Sequence, residues 1–236
     1  MNSWAILQAL IFEPRRAVEA IAERPKFLFP LALTIVAAAG LVLWYYQVAD
    51  LAWVTDRSIR SSPFAARLTE AQIEAQVAAA GDHPTRAGVF AVIATSFGLV
   101  VFRLLEALYY SLAGKVTHVQ RSFGQWFSLA CWTSLASTAL AVIPSAIVLL
   151  LATSTQIDQG DLQPLSLNSL FFHRSFDQPG YSLLTSINVL HFVALYLTAL
   201  AVCIWSGRSW TFSAVFASLP WVLICGVWAY FSMGRS

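Results

Sequence analysis

Two ionisable side chains stand out because of where they sit. Arg103 and Glu106 lie three residues apart in an otherwise apolar stretch from about Ala87 to Ala113. On a helix that spacing puts both on one face, within reach of each other. A charge in hydrocarbon costs about 2.5–3.5 kcal/mol on insertion scales, so such residues face the interior and pair. The chemistry open to them is a proton or ion pathway, or a site for a polar solute. The structural alternative is a buried pair that fixes helix packing, or an arginine that snorkels to the headgroups. Arg103 stands roughly 15 Å from the end of its stretch at 1.5 Å per residue, which makes snorkelling strained.

Asn188 and His191 repeat the spacing early in a later apolar stretch. Both side chains can hydrogen-bond across helices, and histidine titrates near neutral pH. An interhelical bonding role is the ordinary reading, a proton relay the sharper one. Arg103, Glu106, Asn188 and His191 together form the candidate intramembrane polar site. No catalytic, cofactor-binding or metal-binding set is expected. Cys131, Cys203 and Cys225 form no C-x-x-C and read as buried free thiols. His83, His118, His173 and His191 have no metal-ligand spacing, and there is no G-x-S-x-G, H-E-x-x-H or phosphate-binding glycine loop.

The elements that position these residues follow from composition. The chain has 236 residues, 58% of them apolar and only 11% charged. A soluble domain is about 45–50% apolar and about 25% charged. Such a chain cannot coat a water-facing surface, which points to a membrane protein with the bilayer as its partner. A net charge of +2 excludes nucleic acid as a natural partner.

A spanning helix needs about 20 apolar residues, since the hydrocarbon offers its backbone no water. Five stretches qualify, at about 27–49, 87–113, 126–153, 182–205 and 210–230. Each is too long and too uniformly apolar for a barrel strand. The fold class is therefore all-α: a polytopic helical transmembrane bundle of five spans. Trp44, Tyr45, Tyr46, Trp53, Tyr109, Tyr110, Trp126, Trp205 and Trp210 cluster at span ends, as headgroup-level rings do, with Trp132 and Trp221 expected inside. Pro144 is expected to kink the third span, whose Ser134, Ser137, Thr138 and Ser145 let helices approach closely.

Residues 1–26 read as a cytoplasmic, interfacial amphipathic helical segment, ahead of a five-span domain over 27–236. Pro14 suits a first helical position. Ala17, Val18, Ile21 and Ala22 share one face, with Arg15, Arg16, Glu19 and Glu23 toward the other and Arg15 paired to Glu19. Such a helix lies flat on the membrane, as a docking or curvature-sensing surface or as a collar on the first span. No cleavable signal peptide is expected. Seven Lys and Arg fall on the amino-terminal side and six opposite, with four within twelve positions before the first span. That density predicts a cytoplasmic amino terminus and an outside carboxyl terminus. In the loop from Asp50 to Arg86, Ser62-Pro63 signals a helix start, Thr69 and Gln72 have capping-box spacing, and Gly81 is the expected stop. Leu68, Ile73 and Val77 would line its buried face. The loop from Ser154 to Tyr181 is expected to dip partly into the bundle through Leu165 to Phe172.

Ordered motifs carry a resemblance. Ile11-Phe12-Glu13-Pro14, Ile21-Ala22-Glu23-Arg24-Pro25 and Pro30 resemble the start of the Ypt-interacting protein (Yip) family, in its bacterial branch. Glu106-Ala107-Leu108-Tyr109-Tyr110, Gly114-Lys115-Val116 and Ser122-Phe123-Gly124-Gln125-Trp126 are similar to the same branch. So are Pro164-Leu165-Ser166-Leu167-Asn168-Ser169-Leu170 and Leu219-Pro220-Trp221. The resemblance implies five spans and a cytoplasmic amino terminus. It implies vesicle trafficking and Rab-type GTPases for eukaryotic members, through longer amino-terminal regions than the 26 residues here. Asn188 stands where many relatives carry Asp, and Ser134-Leu135-Ala136 where a Pro often follows. The expected function is a non-enzymatic membrane-organising or scaffolding, trafficking-type component of the bacterial inner (plasma) membrane, with a protein partner or a second copy. The alternative is a transporter or channel for a small solute, ion or lipid that uses Arg103 and Glu106.

Overall fold

The computed structural model describes residues 1–62 and 65–233. Pro63 of the expected helix start and Arg235 of the charge comparison lie outside the described residues. Five helical runs are long and apolar enough to cross a membrane: α3 (Leu28–Val48), α6 (Pro84–Thr117), the run Phe123–Leu151, α10 (Val189–Ser206) and α11 (Trp210–Met233). The first, at 21 residues, reaches roughly 31 Å, about the thickness of the hydrocarbon core. The second has 34 residues and projects beyond it.

Two poles flank the spans. At the amino-terminal pole, α1 (Ser3–Phe12) and α2 (Pro14–Glu23) pack together, and α2 packs on α10 and on α7 (Phe123–Ser134). At the opposite pole, α4 (Leu51–Arg60) packs on α5 (Glu70–Asp82). The Asp50 amide donates to the Thr155 carbonyl at 2.7 Å, and Arg57 pairs with Asp158 at 3.2 Å, which ties α4 to the 152–180 loop. This segregation of loops follows because each span carries the chain to the other side.

The amino-terminal segment differs from the expected single surface helix. It is two helices, and the apolar face of α2 is used on protein: Ala17, Val18 and Ile21 are fully buried. Three side-chain donors hold the segment. Gln125 Nε2 donates to the Ala22 carbonyl at 2.6 Å, Trp205 Nε1 to Val18 at 3.3 Å and Trp132 Nε1 to Lys26 at 2.9 Å. Ala22 is in the last turn of α2 and Lys26 in the link after it, where carbonyls lack an intrahelical partner, and Trp205 adds a bond to a mid-helix carbonyl. The ion pair on α2 joins Arg16 to Glu13 at 3.1 Å, in place of the expected Arg15–Glu19 pair.

Several local expectations are matched. Thr69 and Gln72 form the capping box of α5, though that helix runs through Gly81 to Asp82 and Pro84 opens α6 directly. Ile73 is buried beneath it. Ser122 and Gln125 form a second box at the start of α7. The third span bends differently from the expected proline kink alone. A π-helical turn, Leu135–Ala139, separates α7 from α8 (Leu140–Leu151), one turn before Pro144. The π turn is a second interruption of the helical backbone ladder, apart from the carbonyl of Leu140 that Pro144 leaves without its amide.

The aromatic assignment needs the largest revision. Trp126 and Tyr110 are fully buried rather than at headgroup level. Their rings meet at 5.6 Å, and Trp205 and Phe216 close on Trp126 at 5.2 and 5.8 Å. Gly114 makes this cluster feasible. A β-carbon there would stand 2.7 Å from the Val119 carbonyl oxygen and 3.5 Å from the Trp126 ring. The chain reverses at this point, with His118 at φ 63° and the Val119 amide bonded to the Gly114 carbonyl at 2.8 Å.

Candidate functional site

The four candidate residues fall into two separate arrangements. Arg103 and Glu106 pair as their spacing predicts, with Arg103 Nη1 2.6 Å from Glu106 Oε2. Their side chains are 13% and 18% exposed. The Arg103 guanidinium also lies over the Phe102 ring, 4.8 Å from its centroid. The Tyr110 hydroxyl lies 3.3 Å from Glu106 Oε1 and 3.3 Å from the Ala217 carbonyl oxygen. Its one proton serves either acceptor in turn. The pair therefore lies along α6, and Tyr110 shares its proton between Glu106 Oε1 and the backbone of α11.

Sequence reasoning missed the neighbouring contact. The Tyr109 hydroxyl donates to the Phe216 carbonyl at 3.2 Å. Pro220 lacks the amide that would bond that carbonyl within α11. In a bilayer, a freed carbonyl must find a partner on a neighbouring helix, and Tyr109 supplies it. The adjacent Tyr109-Tyr110 and Leu219-Pro220-Trp221 motifs were the visible signal for it.

Asn188 and His191 form a helix cap rather than a cross-helix pair. The expected fourth span, 182–205, is broken into α9 (Tyr181–Ser186) and α10. Asn188 Oδ1 accepts from the Leu190 amide at 2.9 Å, and His191 Nδ1 accepts from the Asn188 amide at 3.1 Å. An accepting Nδ1 leaves the proton of neutral imidazole on Nε2. The His191 ring packs 5.3 Å from that of Trp221.

The 154–180 loop fills the break. The Leu167 amide donates to the Ile187 carbonyl at 2.8 Å, and the Val189 amide to Leu165 at 3.1 Å. Ser166 and Asn168 are buried there, while Leu170, Phe171 and Phe172 stay exposed, so only the first part of the expected Leu165 to Phe172 segment dips into the bundle. A broken span within a bilayer needs such partners for its open backbone groups.

Beside the break lies a cleft of about 560 Å³. Ala38, Leu41 and Val42 of α3 form one wall, Ser137 to Ser145 a second, and α9 with Asn188 and His191 a third. Neither Arg103 nor Glu106 lines it. Of the hydroxyl residues noted on the third span, Ser137, Thr138 and Ser145 face this space. Ser182, Thr185 and Ser186, on the unexpected helix α9, complete the polar lining. Among the described residues no cluster of three or more His, Cys, Asp or Glu could hold a metal. Cys131, Cys203 and Cys225 are free, with Cys131 buried and the other two part-buried.

Helices, poles and intramembrane pairs define a multi-pass membrane protein. The family model described as the Yip1 domain matches residues 8–231, and the chain belongs to the Yip1 family. No curated protein and no solved structure matches the chain.

Proposed function

We propose that this protein is a non-enzymatic organiser of the membrane, a trafficking-type scaffold that acts on the bilayer and through a protein partner or a second copy. In this reading it resides in a bacterial inner membrane, with the amino terminus in the cytoplasm and the carboxyl terminus outside. One observation carries it. On α1, Trp4, Ile11 and Phe12 share an outward face with Gln8 and are 64%, 63% and 80% exposed, the Trp4 ring also resting on Phe29, while Ile6, Ala9 and Leu10 anchor the helix on the bundle. A mostly apolar face on a docked helix at the bilayer boundary presents a fixed wedge to the interface. The basic residues before the first span agree with a cytoplasmic face.

Transport through Arg103 and Glu106 is the weaker reading, because neither side chain lines the cleft beside the broken span. The test is reconstitution of the full chain in vesicles at graded density, read as vesicle diameter. Wild type should narrow or deform the vesicles. The Trp4→Ser/Ile11→Ser/Phe12→Ser variant should insert and melt normally yet leave them unchanged. Equal deformation by both proteins contradicts the proposal.

A further inference from the structure

A second chamber adjoins the cleft beside the broken fourth span, and the two differ in chemistry. The second chamber, about 350 Å³, is walled by charged and polar groups that include Arg57, Arg174, Asp158 and Asp161. Asp158, Gly160, Phe176 and Tyr181 line both spaces. Each falls within the range of small-molecule sites, roughly 300–1,000 Å³.

Depth sets what such a pair of spaces can hold. Asn188 opens the 18-residue α10, so it stands roughly 27 Å from that helix's far end, near the boundary of a hydrocarbon core about 30 Å thick. Ala38 to Val42 lie in the half of α3 nearer this same pole, and Ala141 to Ser145 late in the third span. The first space is therefore at acyl-chain depth in the leaflet away from the amino terminus. The second is at headgroup level. A ligand that fills both is apolar at one end and polar at the other.

The charges of the headgroup chamber balance. Arg57 and Arg174 face Asp158 and Asp161, and Arg57 already pairs with Asp158 at 3.2 Å. Neither sign is in excess: Arg174 donates to the Pro179 carbonyl and Asp161 accepts from the Asp158 amide, so a head that carries both signs adds no unmatched charge. Tyr181 stands at the junction. Burial above all, and then the nearby Asp158, raises its phenol above the usual range. Its hydroxyl occupies the place of a β-carbon at Gly160, so glycine at residue 160 is what lets the Tyr181 ring stand between the two spaces.

We infer that this two-chambered cleft is a lipid site, which takes one phospholipid whose head carries a phosphate and a primary amine. The phosphate sits with Arg57 and Arg174, the amine with Asp158 and Asp161, and an acyl chain lies along Ala38, Val42 and Val142. This site is independent of the α1 wedge.

Native mass spectrometry of the full chain in detergent tests it, with dioleoyl phosphatidylethanolamine as the probe. One molecule should be retained under activation that strips other lipid. Retention should exceed that of dioleoylglycerol at least tenfold and that of dioleoyl phosphatidylglycerol several-fold. Soluble glycerophosphoethanolamine should not compete. Val142→Trp should abolish retention by filling the acyl chamber. Arg174→Gln and Asp161→Asn, both in the headgroup chamber, should each lower it at least fivefold if the Val142 variant fails to fold. Equal retention of dioleoylglycerol would show an apolar patch only, and equal retention of phosphatidylglycerol would remove the two-sign head. Competition by the soluble head would show a phosphoester site without a lipid chain. Any of these, or undiminished retention in the folded variants, overturns the inference.

Discussion

Tyr109 of α6 donates its hydroxyl to the Phe216 carbonyl of α11, the acceptor that Pro220 leaves without an intrahelical partner. One helix thus repairs the backbone of another across the bundle. The consequence is a coupling between two side chains distant in sequence. Tyr109→Phe should lower stability by about 1 kcal/mol, in line with hydrogen bonds measured within bilayers. In a Pro220→Ala background, where the α11 amide is restored, Tyr109→Phe should cost almost nothing. A double-mutant cycle on detergent unfolding measures this, and equal costs in both backgrounds would break the link.

Gly114 and Gly40 make a matched contrast. A β-carbon at residue 114 meets the Val119 carbonyl, while at residue 40 nothing lies within 4 Å. Gly114→Ala should therefore destabilise by about 1–3 kcal/mol through overpacking. Gly40→Ala should be neutral or should stabilise by up to about 1 kcal/mol, from helix propensity. Thermal melting of the two purified variants separates the cases.

The Arg103–Glu106 pair is mutually dependent. Glu106→Gln leaves a buried guanidinium without its counter-charge, which costs about 3–5 kcal/mol in packed protein. The double variant Arg103→Leu/Glu106→Leu should recover most of that loss, because an apolar replacement needs no partner. Unfolding in graded denaturing detergent reads both. Recovery supports a packing role for the pair. A double variant as unstable as the single one would show that the charges do more than neutralise each other.

The cap at the start of α10 predicts a graded series. Asn188→Asp keeps an acceptor for the Leu190 amide and should stay close to wild type. Asn188→Ala loses it and should cost about 1 kcal/mol. His191→Gln keeps the reciprocal acceptor of a capping box and should be tolerated. Melting temperatures should place Asn188→Asp and His191→Gln near wild type and Asn188→Ala lowest.

The spans were legible because crossing a bilayer demands length and uniform apolarity, and both are visible residue by residue. The boxes at Thr69 and Ser122 are local, so the α5 one was also readable from spacing alone. The ion pair of Arg103 and Glu106 followed from the cost of a lone charge. Other features depend on what a residue meets across space. The apolar stripe of Ala17, Val18 and Ile21 reads the same whether its partner is lipid or α7 and α10. Ser182 to Trp205 carries no Pro or Gly to mark the break, and Asn188 and His191 signal it only once read as a cap. Trp126 and Tyr110 sit near span ends, as interfacial rings do, yet Gly114 lets the chain close over them. The cleft draws on α3, the third span, α9 and a loop, and no single stretch foreshadows it.

The central claim is that α2 gives its apolar face to protein while α1 gives its exposed face to lipid. Single spin labels at residues 4, 8, 12, 15 and 19 of the reconstituted full chain, read for oxygen and nickel-chelate accessibility, test it directly. Labels at 4 and 12 should collide with oxygen as acyl-chain residues do, and labels at 15 and 19 should collide with the aqueous chelate. Aqueous exposure at 4 and 12 equal to that at 15 and 19 would contradict the account.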